Sequence, residues 1–354
     1  MATKTAIQWT HLPGYEGKSW NPIGARDKET RQPGWFCVKV ASGCASCYAA
    51  DMNKHRFGNG LDYVRGNVPK VELYLKDLEE PFKQKKPTCY FTNSMTDLFG
   101  LDFGVTTEML DMIYAIMALS PQHLFLNLTK RSKERRAYLN DPETTQRVRD
   151  RAEEMWNGTY PNLKLVSTRA GRAWHRSAVF PLKNIWEGSS VACPKDLHQL
   201  DDLLMTPASK RFVSYEPAIE AVDFTPYLGW RWVNVNGQGT PSVEAYASYD
   251  DLMLSAGFGP VRPIVAIKGV MAREGLNWLI VGGESGKKAR PFDQEWARTS
   301  IDQGDEFDVP VFIKQMGSNP MEHNVSLKYV DRKGGDITEW SPGLRVRQFP
   351  EIIR

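Results

Sequence analysis

Pro87-Thr-Cys-Tyr-Phe-Thr-Asn93, then Thr106 to Leu119 (TTEMLDMIYAIMAL), then Pro121-Gln-His-Leu-Phe-Leu-Asn-Leu-Thr129 read in succession as strand, helix and strand. The outer two are β-branched, aromatic and aliphatic runs that end in polar residues, the composition of buried strands. The middle segment spaces its apolar residues for a helix, and Thr106 or Thr107 can cap its start. The same alternation continues outward. Lys133–Leu139 and Thr144–Trp156 read as helices, and Asn184–Ser190 as a strand end. Leu197–Met205 is helical, Lys210–Glu216 is a strand stopped by Pro217, and Asn277–Glu284 is a buried strand. Phe292–Gln303 is a helix and Val309–Lys314 a last strand. Strands alternating with helices give an α/β class with a mainly parallel sheet, expected as a complete or partial (βα) TIM-like barrel with loop insertions.

Three regions frame this pattern. Residues 1–36 are expected as loops around short extended pieces, with Ala6–Thr10 and Lys18–Asn21 as strand fragments. Residues 37–320 would form the barrel, with an insertion at about 224–274, and 321–354 a polar tail. A helix is expected from about Tyr48 to Arg56. In a barrel, polar residues just after each strand gather at the carboxyl face, where active sites are built. Here they are Asn93, Ser94, Thr96 and Asp97; Thr129, Lys130 and Arg131; Ser189 and Ser190; Ser214 and Glu216; Gly282, Gly283, Glu284 and Ser285; and Lys314 with Gln315. Strand ends are also polar in general, so this gathering alone does not make an enzyme.

The chain has 354 residues, 41% hydrophobic and 25% charged, with a net charge of +3, so overall charge does not mark a nucleic-acid binder. No secretory pattern opens it and no apolar run is long enough to span a bilayer, so a cytoplasmic protein without membrane contact is expected. Of five cysteines, Cys37, Cys44 and Cys47 fall within eleven residues, with six and then two residues between them. In a reducing compartment such a cluster reads as a metal site before disulfides. Gly43 lets the backbone turn just before the closer pair. Three thiolates are one short of a closed four-ligand site, which would leave one iron of a [4Fe-4S] cluster open to an outside ligand such as S-adenosylmethionine. Zinc is the alternative, with His55 completing a Cys3His set. Inert core thiols are the third reading, and the better one for Cys89 and Cys193.

At these residues the chain resembles a phage-associated three-cysteine-motif protein family of unassigned function, related to radical S-adenosylmethionine enzymes. The resemblance runs through Ile7-Gln-Trp-Thr10, Ser19-Trp-Asn-Pro22, Cys37 to Tyr48, Asn93 to Phe99, Leu128 to Arg131 and Asn184-Ile-Trp186. It continues through Arg211 to Pro217, Val281 to Gly286, Ala289-Arg-Pro291 and Phe312 to Gln315. It implies a partial (βα) barrel, a [4Fe-4S] cluster on Cys37, Cys44 and Cys47, and S-adenosylmethionine as cofactor. The first cysteine gap is six residues rather than the common three. Ser46 stands where an aromatic residue usually precedes the third cysteine, and Gly24 to Phe36 reads as an added loop.

Gly282-Gly283-Glu284 looks like the Gly-Gly-Glu element with which radical enzymes grip an ammonium group, yet it follows a late strand. Asn93, Ser94 and Asp97 match that element by position, so Asp97 and Glu284 are equal candidates for the ammonium. Ser214 and Glu216 would bind ribose hydroxyls or orient substrate, unless Glu216 merely pairs with Lys314. Lys130, Arg131, Arg135 and Arg136, with Lys287 and Arg290, are the phosphate or nucleic-acid candidates. A further basic run covers Arg169–Arg176, where Trp174 and His175 would stack on a base; solvated helix faces explain such runs equally well. The expected function is a radical S-adenosylmethionine-type enzyme modifying or repairing nucleic acid or nucleotide, with an accessory protein as a further candidate partner. The alternative is a zinc- or cluster-stabilised nucleic-acid-binding or accessory protein without catalysis.

Overall fold

In the computed structural model, which describes residues 3–66, 68–158, 180–234, 266–267 and 270–352, the alternation becomes parallel strands joined by helices. The chain divides into two units, Met1–Gly188 with Thr206–Ser209, and Ser189–Met205 with Lys210–Arg354.

The first unit contains β1 (Glu16–Trp20), β2 (Ile23–Arg26), α1 (Tyr48–Met52), β3 (Lys70–Leu73), β4 (Thr88–Thr92), α2 (Thr107–Ala118), β5 (Leu124–Thr129), α3 (Ser132–Asn140) and α4 (Thr144–Trp156). β1, β4 and β5 pair in parallel, with Glu16 opposite Thr88 and Cys89 opposite Leu124. A parallel pair needs a crossover connection, and α2 supplies it between β4 and β5. The Thr106 hydroxyl caps α2 by accepting the Met109 N–H, and Leu110 to Ala118 are all buried. Among them is Asp111, whose carboxylate accepts from the Tyr138 hydroxyl at 2.8 Å and Arg147 Nε at 3.1 Å. A charge on the buried stretch of a helix needs to be satisfied in this way.

The amino-terminal stretch departs from expectation. Gln8–Thr10 is a 3-10 turn rather than part of a strand, because the Thr10 hydroxyl folds back to donate to the Ile7 carbonyl at 2.7 Å. The added loop is also more ordered than a loop: β2 pairs antiparallel with β3 and with Pro33–Gly34. The helix expected to reach Arg56 is α1 followed by a π-helical stretch, Asn53–Phe57.

β6 (Ile185–Ser190) carries the chain across the division. The second unit contains α5 (His198–Leu204), β7 (Lys210–Tyr215), β8 (Trp278–Gly282), α6 (Gln294–Glu306) and β9 (Val311–Gln315). β8 lies between β7 and β9, parallel to both. Within the expected insertion, Trp230–Asn234 pairs antiparallel with Val270–Glu274, and Ala266–Ile267 adds a third strand. Residues 321–354 do more than trail: Trp340 and Leu344 are buried in the core of the second unit. The class is therefore mixed α/β, with parallel strands and helical connections in each unit, compatible with a partial (βα) barrel. Among the described residues no helix is long and apolar enough to cross a membrane.

One buried group makes the first unit sensitive to acid. His123 Nδ1 accepts the Thr88 N–H at 3.2 Å and Nε2 meets the Pro81 carbonyl at 2.9 Å, an arrangement that suits the neutral ring. Burial pushes its pKa down from 6.5 to about 4. The native state then resists a proton that the unfolded chain takes up. Its contribution is fully present above pH 6.5 and is lost as the pH falls through about 4. The expected loss over this window is on the order of 3 kcal/mol. Denaturant midpoints measured from pH 7 downward should show it, and His123→Asn should flatten the slope; an unchanged slope would assign the acid sensitivity elsewhere.

Candidate functional site

The loop that leaves β4 organises the first site. Asn93 holds a left-handed backbone (φ 55°), which turns the chain out of the strand. The Thr96 hydroxyl donates to the Phe36 carbonyl, immediately before Cys37. Tyr48, immediately after Cys47, donates to the Ser94 carbonyl at 2.7 Å, and Tyr63 donates to the Met95 carbonyl at 2.6 Å. Asn21, one residue beyond β1, accepts from the Met95 N–H at 3.0 Å. The cysteine segment is thus tied at both flanks to the loop after β4.

Arg131, just past β5, enters this arrangement from below with a side chain only 3% exposed. Its Nε donates to Asp102 Oδ1 at 2.9 Å and its Nη2 to the Val38 carbonyl at 2.9 Å. Its Nη1 lies 3.4 Å from Asp97 Oδ2 and 3.7 Å from Cys37 Sγ. The guanidinium also stacks over the Phe103 ring, 4.9 Å from its centroid. Burial opposes its charge, but Asp97, Cys37 and Asp102 outweigh that and hold its pKa above the ordinary arginine value. Burial, reinforced by the Asp97 charge and opposed by Arg131, pushes the Cys37 thiol up to about 12. A metal would bind Cys37 by displacing its proton.

Asp97 has no capacity left for a ligand ammonium. Its Oδ1 accepts from the Phe99 N–H at 3.0 Å and the Thr129 hydroxyl at 2.7 Å. Its Oδ2 accepts the Lys130 N–H at 3.1 Å and faces Arg131. Asn93 is the opposite case. It is 3% exposed, and neither its Nδ2 nor its Oδ1 has a hydrogen-bond partner. Buried amides are normally satisfied, so an orphan at a strand end marks a place for a polar ligand.

Cys37, Cys44 and Cys47 are free thiols of intermediate exposure. Cys37 and Cys47 pack against the core and lie close enough to interact electrostatically, while Cys44 ends the 3-10 turn Ser42–Cys44. Among the described residues no three His, Cys, Asp or Glu side chains are gathered as metal ligands. The donor set still fits an iron–sulfur cluster in kind: soft thiols carried on one loop, beside a buried amide that lacks a partner. His55 is exposed and is not gathered with the cysteines, so a Cys3His zinc set is not assembled among the described residues. Cys89 and Cys193 are fully buried.

The second unit holds the other candidates. The Ser214 hydroxyl donates to Glu216 Oε2 at 3.2 Å, and Lys314 Nζ lies 2.7 Å from Glu216 Oε1. Glu284, with a side chain 6% exposed, accepts from Arg290 through its backbone N–H at 2.8 Å, Nε at 2.9 Å and Nη2 at 2.8 Å. Like Asp97, it is engaged within the protein, and Arg290 is engaged with it. A Cβ on Gly282 would meet Glu216 Oε1 at 3.0 Å, and one on Gly283 would run into the Met316 carbonyl. Close packing with β9 and Glu216 accounts for both glycines without a ligand.

The basic candidates separate by burial. Arg135 is fully buried; its Nη1 donates to the Gly188 carbonyl at 2.6 Å and faces Glu187 at 4.0 Å. Arg135 and Arg131, both read as phosphate or nucleic-acid candidates, are thus buried and engaged within the protein. Lys130 and Arg136 are half-buried, and Lys287 is exposed. Arg169–Arg176, with Trp174 and His175, lie outside the described residues. The residue the sequence reading missed is Asp102. It sits in the short 3-10 turn Leu101–Phe103, which has no periodic pattern, and its role becomes visible only once Arg131 folds against it.

Compared with known proteins, residues 5–340 match the model of a family described as "Protein of unknown function (DUF5131)". No curated protein and no solved structure matches the chain.

Proposed function

The chain belongs to this family, and from its residues we propose that it is an iron–sulfur enzyme of the radical S-adenosylmethionine type, with Cys37, Cys44 and Cys47 as cluster ligands. The phage association and the kinship with radical enzymes are part of the same proposal. One observation carries it: the buried, unpartnered amide of Asn93 stands next to a loop that bears three free thiols. An amide offers an NH2 donor group and a carbonyl acceptor, which suits the carboxylate and ammonium of an amino-acid ligand. This reading moves the role of ammonium acceptor from Asp97 or Glu284 to Asn93 Oδ1.

When bound, a cluster with one open iron supplies an electron that splits a sulfonium and begins radical chemistry. The protein's own residues bind and orient. Asn93 grips the ligand's polar end. Thr96, Tyr48 and Tyr63 hold the cysteine loop against the loop after β4, and Asp97 fixes Arg131 behind Cys37. Nucleic acid or a nucleotide is the proposed substrate class. It is supported, within the first unit, by exposed Lys39, Lys54 and Arg56, with Tyr48 and Phe57 exposed on the segment that follows the cysteines.

Protein purified without oxygen should hold about four irons with matching sulfide and absorb broadly near ~400 nm. Asn93→Gly removes the amide while keeping the left-handed backbone unstrained, and should weaken S-adenosylmethionine binding by roughly tenfold or more in equilibrium dialysis. About one zinc without sulfide would instead favour a metal-stabilised nucleic-acid-binding or accessory protein.

A further inference from the structure

We propose that Arg131 is a positioning residue that sets the reduction potential of the cluster through Cys37. The assignment rests on the iron–sulfur reading above. It adds which side chain of this chain governs how readily the site takes an electron.

The geometry around Arg131 leaves its guanidinium one orientation. Nε is held by Asp102 Oδ1 at 2.9 Å, Nη2 by the Val38 carbonyl at 2.9 Å, and one face by the Phe103 ring. Nη1 is left between Asp97 Oδ2 at 3.4 Å and Cys37 Sγ at 3.7 Å, within hydrogen-bonding reach of sulfur. Exposure of 3% keeps water from screening the charge. A structural arginine at this position needs only its carboxylates. This one also spends an N–H on the sulfur of a proposed ligand.

The direction of the effect follows from charge. Gaining an electron makes a thiolate-held cluster more negative, so a fixed N–H and a positive charge at Cys37 stabilise the reduced form and raise the potential. Asp102 works in the other direction. Its carboxylate, 31% exposed, offsets part of the Arg131 charge. Removing the cation and removing its counter-ion should therefore shift the potential in opposite directions.

The test is a redox titration of the full chain, purified without oxygen, after iron and sulfide have been counted in each sample. Arg131→Gln should shift the reduction equilibrium at least tenfold toward the oxidised form, which for a one-electron couple is about 59 mV more negative. Arg131→Lys keeps the charge but loses the fixed fork, and should shift less in the same direction. Asp102→Asn should shift to the positive side. If Arg131→Gln does not fold, the opposed shifts of Arg131→Lys and Asp102→Asn carry the test. Loaded variants whose potentials match that of the loaded wild type overturn the assignment alone. A wild type without iron and sulfide overturns the iron–sulfur reading, and this assignment with it.

Discussion

Replacing Cys44 with alanine is expected to leave the chain folded and to remove nearly all of its iron and sulfide. Cys44 is the cleanest of the three positions for this test. Cys37 is bonded to Arg131, and Cys37 and Cys47 both pack against the core of the first unit, so changing either disturbs more than a ligand. Cys44 closes a short 3-10 turn through its backbone N–H, donated to the Ala41 carbonyl at 3.0 Å. Alanine keeps that bond. Against wild type freed of its cluster, the folding cost should stay within about 0.5 kcal/mol, as for a substitution away from packed or paired groups. Iron should drop from about four per chain to well below one, because a cluster held by three thiolates does not survive the loss of one. Iron and acid-labile sulfide, with a denaturation curve on the same sample, decide the matter. Full iron in the variant would remove Cys44 from the ligand set.

The fold was legible where local pattern and tertiary role coincide. The segment from Thr106 to Leu119 shows both its helical spacing and its cap, and α2 starts where Thr106 caps it. β4, β5 and β8 are apolar runs in sequence because they are buried in structure. Pairings between distant segments were not legible. β2 meets β3 across 44 residues of chain, from Arg26 to Lys70, and no local signal marks either as a strand. The site follows the same rule. Its residue types stand in the sequence at strand ends, but their occupancy does not. Asp97 looks like a ligand carboxylate until Thr129 and Arg131 arrive from the next strand to fill it, and Glu284 until Arg290 turns back onto it. Arg135 sits in a run, Lys133-Glu134-Arg135-Arg136, that reads as a solvated helix face. One turn of α3 nevertheless points inward, where Gly188 and Glu187 wait from β6. Asn93 shows the reverse: its position at a strand end made it a candidate, and its lack of a hydrogen-bond partner is what gives it weight.

Asp97→Ala is expected to destabilise the protein by about 3–5 kcal/mol, because each of the buried donors it leaves without an acceptor costs about 1–3 kcal/mol. Four donors meet this carboxylate: the N–H groups of Phe99 and Lys130, the Thr129 hydroxyl and Arg131 Nη1. Alanine strands the Thr129 hydroxyl and two backbone N–H groups, and leaves Arg131 with Asp102 as its remaining carboxylate. Asp97→Asn should cost less. Its oxygen can still serve Phe99 and Thr129, but its amide then faces two donors across the site. Denaturant unfolding of both variants checks the order, and a loss below about 1 kcal/mol for the alanine variant would mean that water replaces the carboxylate there. The same substitution frees the loop after β4, whose Thr96 and Ser94 tie down the cysteine segment, so iron content should fall along with stability. Cys44→Ala should lower iron alone. Comparing the two with cluster-free wild type separates a residue that binds the cluster from one that holds its binding loop in place: the first changes composition without stability, the second changes both.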